Sequence, residues 1–306
     1  MNQIQEVINK LLEKYRSLES GRPASYIPEL AKANPKDFSI AVVTAEGEVY
    51  KAGDHTRPFS MQSTSKPFSY GMILEDFGRD FIHAKVGVEP TGEAFNSIVE
   101  LEKHTNRPFN PMINSGAIVV SGLIKGETLQ ERQINVLARF SKYLTHDMMV
   151  DEKIYLSEKN TAHRNRSIAH LLRHFGVFDS DIEATLDIYF KQCSIMVNTV
   201  DLAMMAATLA NGGKQPITGE IALKKDYVGD MLSLMFTCGM YDSSGEWAYS
   251  VGIPAKSGVS GAIFGVVPGK LGIAVYSPPI DEKGNSIRGL EVFKDLSREL
   301  NLSIFR

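Results

Sequence analysis

Strand signal in this chain is confined to its two ends, and that placement most constrains the fold. Near the start, FSIAVVT (38–44) is an apolar, β-branched run. AEGEVYKAGD follows it, with Glu46-Gly47 where a hairpin would turn. Near the end, AIFGVVPGKLGIAVYSP (262–278) reads as two apolar strands around Pro268-Gly269-Lys270. Each pair is too narrow to be stable alone; together they make a sheet of useful width.

Between about 63 and 240 the pattern is helical. Ile134, Leu137, Phe140 and Leu144 form one stripe. Ile168, Leu171, Leu172 and Phe175 form another, with Gly176 placed as a C-terminal cap. Residues 200–210 are a third candidate, closed by Asn211-Gly212-Gly213. A helix opens the chain, with Ile4, Val7, Ile8, Leu11, Leu12, Tyr15 and Leu18 on one stripe. Another ends it, capped by Asn285 or Ser286 and striped by Leu290, Phe293, Leu296 and Leu300. The predicted class is α/β. Its antiparallel sheet comes from both chain ends, about 1–62 and 250–306, with the two terminal helices covering one face. A helical subdomain of about 63–249 is inserted, and a site would lie in the cleft between them. With no internal repeat and no long linker, the 306 residues read as one domain.

The composition narrows function only by exclusion. A net charge of -3 and a pI near 6.2 do not suit a dedicated nucleic-acid binder. No apolar run approaches the ~20 residues of a membrane span. The polar N-terminus lacks the basic and apolar regions of a secretory signal, so the expected location is the cytoplasm. Cys193 and Cys238 have neither disulfide-framework nor metal-ligand spacing and read as small core residues. His170 and His174 are four apart on a predicted helix, but no carboxylate stands beside them as a further metal ligand.

Four local features carry candidate chemistry. Ser63 and Lys66, within Gln62-Ser63-Thr64-Ser65-Lys66, have S-x-x-K spacing. At a helix start the two share a face, so the amine reaches the hydroxyl, and Pro67 is tolerated in the first turn. Such a lysine takes the serine proton only if its pKa is lowered. The spacing also occurs about once by chance in a chain of this composition, and it equally fits an exposed polar helix start. Lys256-Ser257-Gly258, just before the second hairpin, is similar to the K-T-G box of serine β-lactamases and penicillin-binding proteins. Glu158 and Asn165 stand seven apart, nearly two turns, on a segment Ser157 would cap. They suit the charged head of an amino acid, or a solvated polar face. Asn114, in the loop Asn110–Ala117, either makes turn hydrogen bonds or presents its amide to a ligand. Tyr26, Tyr189 and Tyr241 read as partly buried tyrosines.

Taken together, the motifs resemble the serine-dependent glutaminases, which have a β-lactamase-like fold. The resemblance covers about residues 20–300. It rests on ASYIPELA (24–31), QSTSK (62–66), NPMINSGAI (110–118), SE (157–158), NRSIAHLL (165–172), YFKQCSI (189–195), CGMYDSSGEWAY (238–249) and PAKSGVSGAI (254–263), all in the family's order. It implies hydrolysis of L-glutamine to L-glutamate and ammonia. Ser63 would be the nucleophile and Lys66 its proton acceptor, with the hydroxyls of Tyr26 and Tyr241 near the reacting centre. Ser63 and Val259 would supply oxyanion-hole N–H groups. Asn114, Glu158, Asn165 and Tyr189 would hold the substrate's α-amino and α-carboxylate groups. The resemblance implies a homo-oligomer, a tetramer, and no metal or organic cofactor. The chain departs from the family pattern at Pro67, Ser115, Ser260 and Ala262. Two other readings stay open at this point. One is a β-lactamase or D-alanyl peptidase, although an S-D-N box is missing from its expected place. The other is a catalytically silent amino-acid-binding protein.

Overall fold

The computed structural model describes residues 3–92, 96–98, 101 and 106–306. The first third contains α1 (Gln3–Arg16), β1 (Ser39–Thr44), β2 (Val49–Gly53), β3 (Phe59–Ser60), α2 (Lys66–Phe77) and α3 (Arg79–Lys85). The middle holds α4 (Asn114–Gly122), α5 (Leu129–Ser141), β4 (Met149–Val150), α6 (Glu152–Thr161), α7 (His163–His174), α8 (Ile182–Cys193) and β5 (Ile195–Val197). Next come α9 (Thr199–Ala210), α10 (Lys225–Cys238), α11 (Ser244–Ser250), β6 (Ala255–Gly258), β7 (Ala262–Val267), β8 (Leu271–Tyr276) and α12 (Ile287–Glu299).

The five-stranded sheet runs in the order β2-β1-β8-β7-β6, with every pair antiparallel. The chain ends meet where β1 pairs with β8, Ser39 opposite Tyr276 and Thr44 opposite Leu271. Strands β1, β7 and β8 are buried along their whole length. Alternation sorts their side chains between two layers. Ile40, Val42, Ile263, Ile273 and Val275 join Ile8, Leu11, Val292, Phe293 and Leu296 of the terminal helices. Ala41, Val43, Phe264, Val266 and Ala274 face the opposite layer with Leu202, Ala203 and Ala206 of α9. Helix α9 thus comes from the middle of the chain yet forms the second face of the sheet.

That face requires a close approach. A Cβ on Gly272 of β8 would stand 2.2 Å from the Ala207 nitrogen and 2.5 Å from the Ala203 carbonyl oxygen. Gly272→Ala is expected to destabilise the protein by about 2 to 3 kcal/mol through overpacking against rigid backbone. A denaturant midpoint unchanged from wild type would show that α9 can move aside.

Local signals held well where packing and caps agreed. Helix α7 ends in a Schellman-type turn: Gly176 has φ +70°, and Val177 N–H donates to the Leu172 carbonyl at 3.0 Å. The Ser286 hydroxyl caps α12 by accepting from Gly289 N–H. Two expectations fail. Ile134, placed on the core stripe of α5, is 56% exposed, while Val136 and Phe140 are buried. A second sheet, ordered β3-β5-β4, has strands of two or three residues, too short for alternation to show in sequence.

Candidate active site

The nucleophile candidate lies between β3 and α2, in a 3₁₀ turn over Gln62–Ser65 that runs directly into α2. In such a turn side chains at i and i+3 eclipse. That geometry brings Lys66 Nζ to 2.9 Å from Ser63 Oγ. Pro67 stands in the first turn of α2, where its missing N–H costs nothing. Gln62, immediately before Ser63, has φ +49°. This strained conformation at a non-glycine residue must be held by its surroundings. Strand β6 is part of that support: a Cβ on Gly258 would reach within 3.0 Å of the Met61 carbonyl oxygen and of Thr64 Cγ2.

Lys66 is buried, only 3% exposed. Its Nζ also donates to Asn114 Oδ1 at 2.8 Å, and Asn114 Nδ2 donates to Asn165 Oδ1 at 3.0 Å. Burial lowers the Lys66 pKa to about 8, opposed by the nearby Cys193 and Glu158. Near that pH a large fraction is a neutral amine, able to accept the Ser63 proton while still donating to Asn114.

Glu158 is the second buried ionisable group. Burial raises its pKa to about 7, opposed by a hydrogen bond from Gln62, by Lys66 and by a hydrogen bond from Cys193. Gln62 Nε2 lies 3.4 Å from Glu158 Oε2. The cavity has a volume of about 90 Å³ and is lined by Tyr26, Ser63, Asn114, Glu158, Asn165, Tyr189 and Val259, with Gln62, Asn96, Thr161, Arg164 and Cys193 among the others. Lys66, bonded to Ser63, stands 5.9 Å from the Tyr189 ring centre.

Tyr241 reaches Ser63 from a separate turn. It begins a 3₁₀ turn with φ +52° and makes a hydrogen bond with Ser63. Its hydroxyl donates to the Ser257 carbonyl at 3.0 Å. Lys256, fully buried on β6, donates to that same carbonyl at 2.8 Å and stands 4.2 Å from the Tyr241 ring centre. Burial and Lys66 hold the Lys256 pKa well below its ordinary value. Ala24, Ile27 and Leu30 form a small apolar cluster with Tyr241 and Val259, packing the two together.

Seven of the nine residues expected at the site line this cavity, and Lys66 and Tyr241 join it through Ser63, but three local expectations change. Glu158 and Asn165 do not share a helix: α6 ends at Thr161 and α7 begins at His163. The cavity unites them across that break. Ser157 is not a cap; Asp151 caps α6, and the Ser157 hydroxyl accepts from Glu29 N–H at 3.2 Å. Tyr26 is 55% exposed, at the cavity rim, rather than partly buried. Sequence reasoning also left Gln62 and Cys193 out of the site. Only their places in QSTSK and YFKQCSI pointed to them, because neither periodicity nor charge marks a residue that lines a cavity from a turn or a helix end. His170 and His174 are exposed on α7. Among the described residues no group of three or more His, Cys, Asp or Glu is arranged to hold a metal.

Fold and site together define a mixed α/β hydrolase of the β-lactamase-like class. The glutaminase family model matches residues 21–305. A glutaminase of Trichormus variabilis is 56% identical over 299 residues, covering 98% of this chain and 89% of that protein. A solved structure of the probable glutaminase YbaS superposes with a TM-score of 0.97 at 38% identity, covering 100% of both chains. A structure of Mglu "in its tris and glutamate form" gives a TM-score of 0.95 at 40% identity, covering 99% of this chain and 68% of that one. The chain belongs to the glutaminase family.

Proposed function

We propose that the cavity binds L-glutamine and that hydrolysis to L-glutamate and ammonia passes through an acyl-enzyme at Ser63. The observation that carries this reading is the pairing of Ser63–Lys66 with a buried carboxylate, Glu158, across one small cavity. A buried carboxylate calls for a cation, and an amino acid's ammonium supplies one. Asn114, Asn165 and Tyr189 complete the polar lining around the substrate's head.

Ser63 Oγ attacks the side-chain amide carbon as its proton passes to Lys66 Nζ. The oxyanion that forms faces the N–H groups of Ser63 and Val259. The C–N bond breaks as Tyr241 relays a proton to the departing nitrogen, and ammonia leaves. Water then attacks the ester carbonyl as Lys66 Nζ takes one of its protons; the bond to Ser63 Oγ breaks as Lys66 passes that proton to Oγ, releasing L-glutamate and free Ser63.

The test is ammonia release from L-glutamine beside L-asparagine and D-glutamine, with nitrocefin as the lactam control. Release from L-glutamine alone supports the reading; cleavage of nitrocefin with glutamine untouched replaces it. Glu158→Gln is expected to raise KM for L-glutamine by about 100-fold, because it leaves the ammonium without its countercharge. An unchanged KM would remove Glu158 from that role. A homotetramer, implied by the family resemblance, and a cytoplasmic location complete the proposal. Light scattering and cell fractionation test them. Among the described residues no helix is long and apolar enough to cross a membrane.

A further inference from the structure

Three helices that carry site residues are also joined inside the core by polar side chains. Gln192 of α8, Ser69 of α2 and Ser121 of α4 are all buried. The Gln192 carbonyl oxygen accepts from the Ser69 hydroxyl, and its Nε2 donates to Ser121 Oγ at 2.9 Å. Apolar residues of the same helices, Phe68, Ile118 and Phe190 among them, belong to one core cluster.

The spacing relates this trio to the site. Ser69 follows Lys66 by three residues, and Gln192 follows Tyr189 by three, so each pair shares a helix face. Ser121 follows Asn114 by seven residues, nearly two turns. At the site, Lys66 joins α2 to α4 by its 2.8 Å bond to Asn114 and faces the Tyr189 ring of α8. Gln192 connects the same three helices again, deeper in the core. It is not among the residues lining the substrate cavity.

A buried amide costs desolvation that its hydrogen bonds must offset, whereas an aliphatic side chain there would be stabilised by burial alone. What the amide adds is direction. Apolar contacts are non-directional, but two hydrogen bonds from one amide fix where α2 and α4 stand along α8.

We propose that Gln192 is a positioning residue: by bridging Ser69 and Ser121 it sets the register of α2 against α4, and so the Lys66–Asn114 contact that holds Lys66 at Ser63. The proposal rests on the role given to Lys66 above.

The experiment measures kcat and KM for L-glutamine, with melting temperature, in three variants. Gln192→Met fills similar space and makes no such bonds. Both hydroxyls keep a backbone acceptor, Ser69 the Ser65 carbonyl at 3.3 Å and Ser121 the Ala117 carbonyl at 2.8 Å. Gln192→Met is expected to lower kcat about tenfold, part of the ~10²-fold that a 1 Å displacement can cost. KM is expected to stay within about threefold, because Glu158 stands on α6, outside the network. Combining Gln192→Met with Ser69→Ala and Ser121→Ala removes every partner together, which brings the melting temperature back toward wild type. Its kcat is expected to stay as low as in Gln192→Met. Ser121→Ala removes one arm at little cost to folding and is expected to lower kcat about threefold; it decides the matter if the larger variants do not fold.

A wild-type kcat in Gln192→Met overturns the proposal, as does a wild-type kcat in Ser121→Ala. So does a kcat that recovers with melting temperature in the triple variant, since the amide would then serve stability alone. A loss confined to KM overturns it too. If Lys66→Met itself keeps a wild-type kcat, the reading of Lys66 fails instead.

Discussion

Ser63→Ala is expected to lower kcat/KM for L-glutamine by about 10⁴-fold or more while leaving the fold intact. The size follows from what the oxygen does. It forms the covalent bond to the acyl group, and the structure places no other hydroxyl in contact with both Lys66 and Tyr241 among the described hydrogen bonds. The lost side chain is a small polar group at a cavity wall, so the cost to folding is slight. Retained circular dichroism and melting temperature, with no ammonia release and no acyl adduct by rapid-quench mass spectrometry, are the expected result. Activity near wild type would take Ser63 out of the mechanism.

Lys66→Met is expected to cost about 10³-fold in kcat, the middle of the range for a general base. Methionine fills the buried space without a proton acceptor. The pH profile gives the sharper check. Glu158, with a pKa of about 7, and Lys66, with a pKa of about 8, both act in their deprotonated forms. Activity therefore rises with pH through both values and is lost as pH falls through them. The logarithm of kcat/KM should approach a slope of two below the lower limb and one between the two. Because Lys66 and Glu158 interact, these limbs belong to the pair rather than to either group alone. Lys66→Arg should remain inactive across the whole range, since a guanidinium does not deprotonate there. An active arginine variant would show that the amine only orients Ser63.

Much of the fold was legible because its signals are local. The hairpins, the α12 cap and the glycine after α7 follow from neighbouring residues. The three-stranded sheet was not legible, because its partners lie far apart in the chain and each strand is too short to show a period. The outward turn of Ile134 was invisible for a related reason: a helix carrying apolar residues on more than one face does not announce which face meets the core.

The site divides in the same way. Spacing placed Lys66 beside Ser63, since three residues along one turn leave little freedom. The motif resemblance supplied Tyr26, Asn114, Tyr189, Tyr241 and Val259, whose proximity no spacing could reveal. Glu158 and Asn165 came together for another reason than the one their spacing suggested, across a helix break instead of along one helix.

By itself, the sequence determined most of the helices, the two terminal hairpins and the chemistry available at each candidate position, because these depend on local periodicity, caps and residue type. Tertiary structure alone decided the burial that brings Lys66 to about 8 and Glu158 to about 7, the strained turns at Gln62 and Tyr241, and the place of Cys193 beside Glu158 in the cavity lining. Those properties arise from desolvation and from contacts between distant segments, and both exist only once the chain has closed around the cavity.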